Sequence, residues 1–223
     1  MLTRLLAAIL TVLALAAPVS AQVEEEAEAP GLFIVGDSHV QMLGPMLSRA
    51  LTDEGYRVVG YESRPGWSTA AYVRRGDLRE VLEAAGRPEI VVVSLGGNDF
   101  AAGPESYLAQ LSWIVDQAEA AGAEQVLWVG PATSDMEVSE RAAVTGARHE
   151  RNAELQADLL PSLGVSWIDS RPHTVEDHGR DGIHFTRVGY RSWTHALVPE
   201  GEAKMAAPFV DAAMAPAAAR ADA

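Results

Sequence analysis

The 223-residue chain has no cysteine. That absence excludes disulfides, thiol nucleophiles, thiolate metal sites and lipid attachment to an N-terminal Cys. Positive charge is scarce. There are 17 Lys and Arg against 31 Asp and Glu, a formal net charge of -14. Nucleic acid is not an expected partner, because neutralising phosphate needs a basic face. An anionic membrane surface would repel such a chain. The acidic balance disfavours a polyanionic substrate unless Arg64, Arg74 and Arg75 form a local basic patch. Past the N-terminus no apolar run is long enough to span a membrane. No P-loop or Rossmann glycine pattern and no internal repeat is present.

Hydrophobic residues make up 48% and charged residues 22%, which fits a globular domain and not a disordered chain. The length suits one large domain in preference to two small ones. Arg4 precedes an apolar run from Leu5 to Ala17, broken only by Thr11, and Val19-Ser20-Ala21 supplies small residues. The run covers 13 residues, short of the roughly 20 that a spanning helix needs. Residues 1–21 are therefore expected to be a signal peptide cleaved after Ala21, making the mature protein secreted or periplasmic, with no stable membrane insertion. Residues 22–30 read as an acidic linker, 31–198 as the folded domain, and 199–223 as an Ala/Pro-rich, poorly ordered tail.

Within the domain, short apolar runs alternate with helical patterns. Leu32 to Val35, Arg57 to Tyr61, Glu89 to Leu95, Gln125 to Val129 and Val165 to Ile168 predict strands. Helices are expected over Met46 to Leu51 with Pro45 in the first turn, from Pro104 to a Gly122 cap, around Asn152 to Leu159, and over Val188 to Val198. Strands apolar on both faces imply a parallel sheet of about five strands covered on both sides, a three-layer α/β/α sandwich. Such sheets place their sites beyond the carboxyl ends of the strands.

Chemistry-bearing residues follow three of these strands. Gly36-Asp37-Ser38-His39 follows the first, Gly96-Gly97-Asn98-Asp99 the third, and Asp181-Gly182-Ile183-His184 lies past the last. A serine needs a base to take its proton, and the base needs a partner that fixes its tautomer. Ser38, His184 and Asp181 can fill those roles. A tetrahedral intermediate also needs donors. The Asn98 amide and an unobstructed backbone N–H at Gly66 can supply them.

These residues resemble the SGNH (GDSL) hydrolase family. Ser38, Gly66, Asn98 and His184 occur in the order of the four residues that name the family. Gly36-Asp37-Ser38, Gly97-Asn98-Asp99 and the stretch DGIHFTRVGY match its blocks. The resemblance spans Leu32 to about Leu197. It implies a flavodoxin-like α/β/α fold, a triad of Ser38, His184 and Asp181, and an oxyanion hole of Ser38 N–H, Gly66 N–H and Asn98. It also implies ester hydrolysis without cofactor or metal. Export points to a small-molecule or acetylated-glycan ester as substrate, and the small length left for a lid to short acyl groups. Two other outcomes share the pattern, an acyltransferase with the same triad and a non-catalytic binding module.

Several neighbours have plainer readings. Asp37 and Asp99 are expected to shape their turns through hydrogen bonds to the backbone. His39 and Trp67 are candidate substrate contacts, or packing residues. Trp113, Trp128, Trp167 and Trp193 fit packing positions. Ser68, in Gly66-Trp67-Ser68-Thr69-Ala70, lacks the last glycine of a nucleophile elbow. His173, Asp177, His178, Asp181 and His184 match no zinc spacing.

Overall fold

The structure, a computed structural model, describes residues 29–100 and 103–198. The expected signal peptide, all but the last two residues of the expected linker, and the expected tail lie outside the described residues. Five parallel strands form one sheet: β1 (Gly31–Gly36), β2 (Arg57–Ser63), β3 (Ile90–Ser94), β4 (Gln125–Val129) and β5 (Ser166–Ile168), ordered β2-β1-β3-β4-β5. The helices are α1 (Val40–Asp53), α2 (Thr69–Arg75), α3 (Leu78–Ala84), α4 (Pro104–Ala120), α5 (Glu140–Leu159) and α6 (Arg187–Leu197). Among the described residues, no helix is long and apolar enough to cross a membrane.

The period of two along each strand sends alternate side chains to opposite cores. Leu32, Ile34, Ile90, Val92, Leu127 and Val129 pack under α1 and α6 against Leu43, Leu47, Trp193 and Leu197. Phe33, Val35, Val91, Val93 and Trp128 pack on the other face against Tyr72, Leu82, Tyr107 and Leu111. Every residue of β1 and β3 is buried, so the central strands carry apolar residues on both faces. Each fully buried Leu, Ile or Val contributes roughly 1.5–3 kcal/mol. The expected three-layer sandwich is the observed one.

Four helices differ from expectation. α1 starts at Val40, directly after the β1 turn, so Pro45 lies inside the helix and not in its first turn. Pro45 has no N–H for the Gln41 carbonyl. The helix holds around it through Leu43 N–H to His39 O (2.9 Å) and Ser48 Oγ–H to Gly44 O (2.7 Å). α2 and α3 have seven residues each, too few turns for a repeating apolar face to stand out in sequence. α5 begins at Glu140, well before Asn152. Its buried face is Ala142, Thr145, Gly146, His149, Asn152, Ala153 and Gln156, spaced as a helix but small and polar.

Candidate active site

The chain runs outward from β1 to β2 and then returns past β1 to β3. The strand order reverses between β1 and β3, and that crevice is where open parallel sheets bind ligands. The register brings the ends level: Gly36 pairs with Ser63 on one side and Ser94 on the other. The turns that leave all three strands therefore start at the same height.

Ser38 sits on the tight turn between β1 and α1. His184 Nε2 lies 2.9 Å from Ser38 Oγ, and His184 Nδ1 lies 2.6 Å from Asp181 Oδ2. An ionised carboxylate only accepts, so Nδ1 carries the ring proton and Nε2 is free to accept from the Ser38 hydroxyl. The other oxygen, Asp181 Oδ1, accepts from the N–H of Ile183 (3.0 Å) and of His184 (2.9 Å). Burial pushes the Asp181 carboxyl up, but the His184 ring and those two N–H groups outweigh it and hold it at about 2. Asp181 is thus charged at any working pH. The arrangement can deliver a serine hydroxyl to an electrophile and take its proton.

Gly66, in left-handed backbone (φ 77°), and Asn98 line the same cavity of about 700 Å³ as Ser38 and His184. Among the described residues, neither the Ser38 nor the Gly66 N–H has a hydrogen-bond partner. Asn98 differs: Nδ2 donates to Asp37 Oδ2 (3.1 Å) and to the Trp67 carbonyl (3.2 Å). Asp37 Oδ1 accepts from His39 N–H (3.0 Å). Asp37 thus ties the serine turn to the asparagine turn. It is fully buried, and burial raises its carboxyl to about 7. Asp99 shapes its turn in a similar way. Its Oδ1 accepts from the Thr69 N–H (2.6 Å) and hydroxyl (3.0 Å), and its Oδ2 from Tyr107 OH (2.8 Å).

His39 borders the cavity but is itself buried. Its Nδ1 meets Tyr190 OH at 3.1 Å, and its ring centroid is 5.2 Å from that of His184. Burial holds this imidazole neutral, well below the usual histidine range. Trp67 is placed away from the cavity. Its ring packs against the core between the Arg64 guanidinium (4.5 Å) and the Tyr72 ring (5.2 Å). Its part in the site is the carbonyl that meets Asn98. Ser68 caps α2, accepting from Ala71 N–H (3.2 Å). The other four Trp pack against the cores. The His178 ring lies tilted against Phe185 (4.5 Å between centroids), and among the described residues no three His, Asp or Glu gather as a metal site. Two of the three arginines of the candidate basic patch are paired: Arg64 is held by Glu62 and Asp77, and Arg75 by Asp77 (2.8 Å).

Helix α5 is the part of the site that sequence reasoning missed. Its polar face holds the carbonyls of the turn after β3. Asn152 Nδ2 donates to Gly96 O (2.7 Å) and Asp99 O (2.9 Å), and Gln156 Nε2 donates to Leu95 O (2.9 Å). His149 Nδ1 meets Ala132 O at 2.7 Å. Gly96 has φ 126°, and a Cβ there would strike Pro131 Cγ at 2.7 Å and overlap Gln156. Arg141, Val144, Thr145 and Arg148 of the same helix form a wall of the cavity. The available signal was Ser139 as a cap, accepting from Ala142 N–H, followed by buried residues at helical spacing.

The family model of the GDSL-like lipase/acylhydrolase family matches residues 34–192. The chain belongs to that family, a class of hydrolases acting on ester bonds. Solved structures share its fold. A carbohydrate acetylesterase from Sinorhizobium meliloti superposes with a TM-score of 0.60 at 18% identity, covering 76% of this chain and 96% of that one. A lipase/acylhydrolase from Enterococcus faecalis gives 0.60 at 22% identity, covering 79% and 96%. The periplasmic domain of a lipopolysaccharide acetyltransferase from Salmonella Paratyphi A gives 0.56 at 13% identity, covering 74% and 80%. No protein of curated function matches the sequence.

Proposed function

We propose that the protein is an exported serine esterase that removes short acyl groups, acetyl foremost, from small-molecule or glycan esters. The observation that carries this reading is the unbroken path from Asp181 through His184 to Ser38, at 2.6 and 2.9 Å. Ser38 Oγ attacks the ester carbonyl while His184 Nε2 takes its proton. Negative charge gathers on the carbonyl oxygen, facing the N–H groups of Ser38 and Gly66 and the Asn98 amide. An oxyanion is a stronger acceptor than the neutral Trp67 carbonyl, so it draws an Asn98 N–H to itself. His184 returns the proton to the departing alcohol. Water then gives a proton to His184 and attacks the acyl-enzyme, releasing the acid and restoring Ser38.

The carbohydrate acetylesterase from Sinorhizobium meliloti supports a sugar acetate as substrate. The Salmonella acetyltransferase domain supports a second outcome, in which a sugar hydroxyl replaces water as acceptor. Product analysis with and without added glycan separates the two. Ser38→Ala is expected to abolish turnover of p-nitrophenyl acetate with the fold intact by circular dichroism. Retained turnover would remove Ser38 as nucleophile. The apolar run from Leu5 to Ala17, followed by the small residues up to Ala21, supports export. The intact mass of material secreted or released from the periplasm should begin at Gln22; a mass that includes Met1 would contradict cleavage.

A further inference from the structure

We infer that the cavity holds a subsite for a carboxylate on the substrate, formed by Arg148 and Arg141 of α5. This rests on the esterase reading and narrows it to esters that carry a second, ionised carboxyl group.

Six arginines elsewhere meet a carboxylate, Arg49, Arg57, Arg64, Arg75, Arg79 and Arg171, while Arg74, Arg87, Arg180, Arg187 and Arg191 meet none among the described residues but lie outside the cavity lining. In a chain with net charge -14, acidic partners are plentiful. Yet neither Arg148 nor Arg141 forms an ion pair among the described residues, and both line the cavity beside Ser38 and His184. They lie two helical turns apart on one face of α5. They are close enough for Arg141 to add to the burial that lowers the Arg148 guanidinium below its usual value. Asp99 is the one acid whose charge acts on Arg148, and it does so without contact, so two like charges in the cavity wall with no ion pair among the described residues suit a site that receives its anion from outside.

The Arg148 side chain is held in place. Nε donates to Gly97 O (2.9 Å), Nη2 reaches Thr145 Oγ1 (3.4 Å), and the guanidinium lies 4.5 Å from the Phe100 ring centroid. Its remaining N–H donors have no partner among the described residues, leaving a fork that matches a carboxylate. The acids nearby do not fill it. Asp99 is buried and spends both oxygens on Thr69 and Tyr107, and burial raises its carboxyl. Glu140 shares the cavity wall without pairing to either arginine. Because Gly97 directly precedes Asn98, the anion would sit beside the oxyanion donors, within a few atoms of the scissile carbonyl.

The test compares esters matched in carbon number that differ in one charge. On the acyl side, p-nitrophenyl monoesters of succinate, glutarate and adipate are set against the butyrate, valerate and hexanoate esters. On the alcohol side, p-acetoxybenzoate is set against p-acetoxybenzamide. At least one charged ester should exceed its neutral partner about tenfold in kcat/KM, mostly through KM. Arg148→Gln should cut that ratio about tenfold, Arg141→Gln should cut it severalfold, and added NaCl should erode it. Arg141 is exposed, so its variant decides the matter even if Arg148→Gln fails to fold. Equal handling of charged and neutral esters in both arms, or ratios unchanged in the variants, would overturn the subsite. Calorimetric binding of p-acetoxybenzoate and p-acetoxybenzamide to Ser38→Ala reads the same preference without turnover. A wild type that hydrolyses no ester yet prefers the carboxylate in that titration would sink the esterase reading and leave the subsite standing.

Discussion

Asp37 shows how one side chain can serve both turns of the crevice. Its two oxygens receive the His39 N–H and the Asn98 amide, and the desolvation this demands lifts its carboxyl from the usual 3.8 to about 7. The folded protein therefore keeps a proton that the unfolded chain has lost between about pH 4 and 7, and the Asp37 contribution to stability falls as pH rises through that window. His39 and His149 act in the opposite sense, since burial lowers both imidazoles, His149 to about 4. Asp181, at about 2, titrates below the window. A difference isolates Asp37: the unfolding free energy of wild type minus that of Asp37→Asn should decline from pH 4 to pH 8 in urea melts. A flat difference would refute the assignment. At this scale Ser38, Asn98, Asp181 and His184 were legible because each stands in a motif beside a strand end or a glycine. Arg148 and Arg141 were not, since an arginine in a polar helix gives no sign of which way that helix faces.

Helix α6 must start in the right place, because His184 lies in the turn that leads into it. Thr186 caps the helix, its Oγ1 accepting from Gly189 N–H (3.3 Å), and its own N–H donates to Asp177 O (2.8 Å). Removing the hydroxyl in Thr186→Ala should cost about 1 kcal/mol by urea unfolding, and Thr186→Ser should restore most of it. No loss in the alanine variant would mean the cap is idle. α6 was legible because Tyr190, Trp193 and Leu197 repeat at helical spacing and are buried. α5 was half hidden because its buried face bonds to turn carbonyls instead of joining an apolar core. The start of α1 was hidden because Pro45 looks like a first-turn residue, whereas the strand turn sets the start five residues earlier.

At the scale of the molecule, the sheet was the most legible feature. Runs such as Ile90-Val91-Val92-Val93 are β-branched and apolar on both faces, and only a covered parallel sheet buries both. The strand order follows from helices packing on two faces, and it creates the crevice where distant blocks of sequence meet. The chain carries an excess of acid, yet Arg148 and Arg141 stand in the cavity wall without an ion pair among the described residues. The central claim is that Ser38 is the nucleophile of an ester hydrolase, and labelling tests it most directly. A fluorophosphonate probe should form one covalent adduct, located on Ser38 by peptide mass spectrometry and lost in His184→Ala. An adduct on another residue, or none in the folded wild-type protein, would contradict the account.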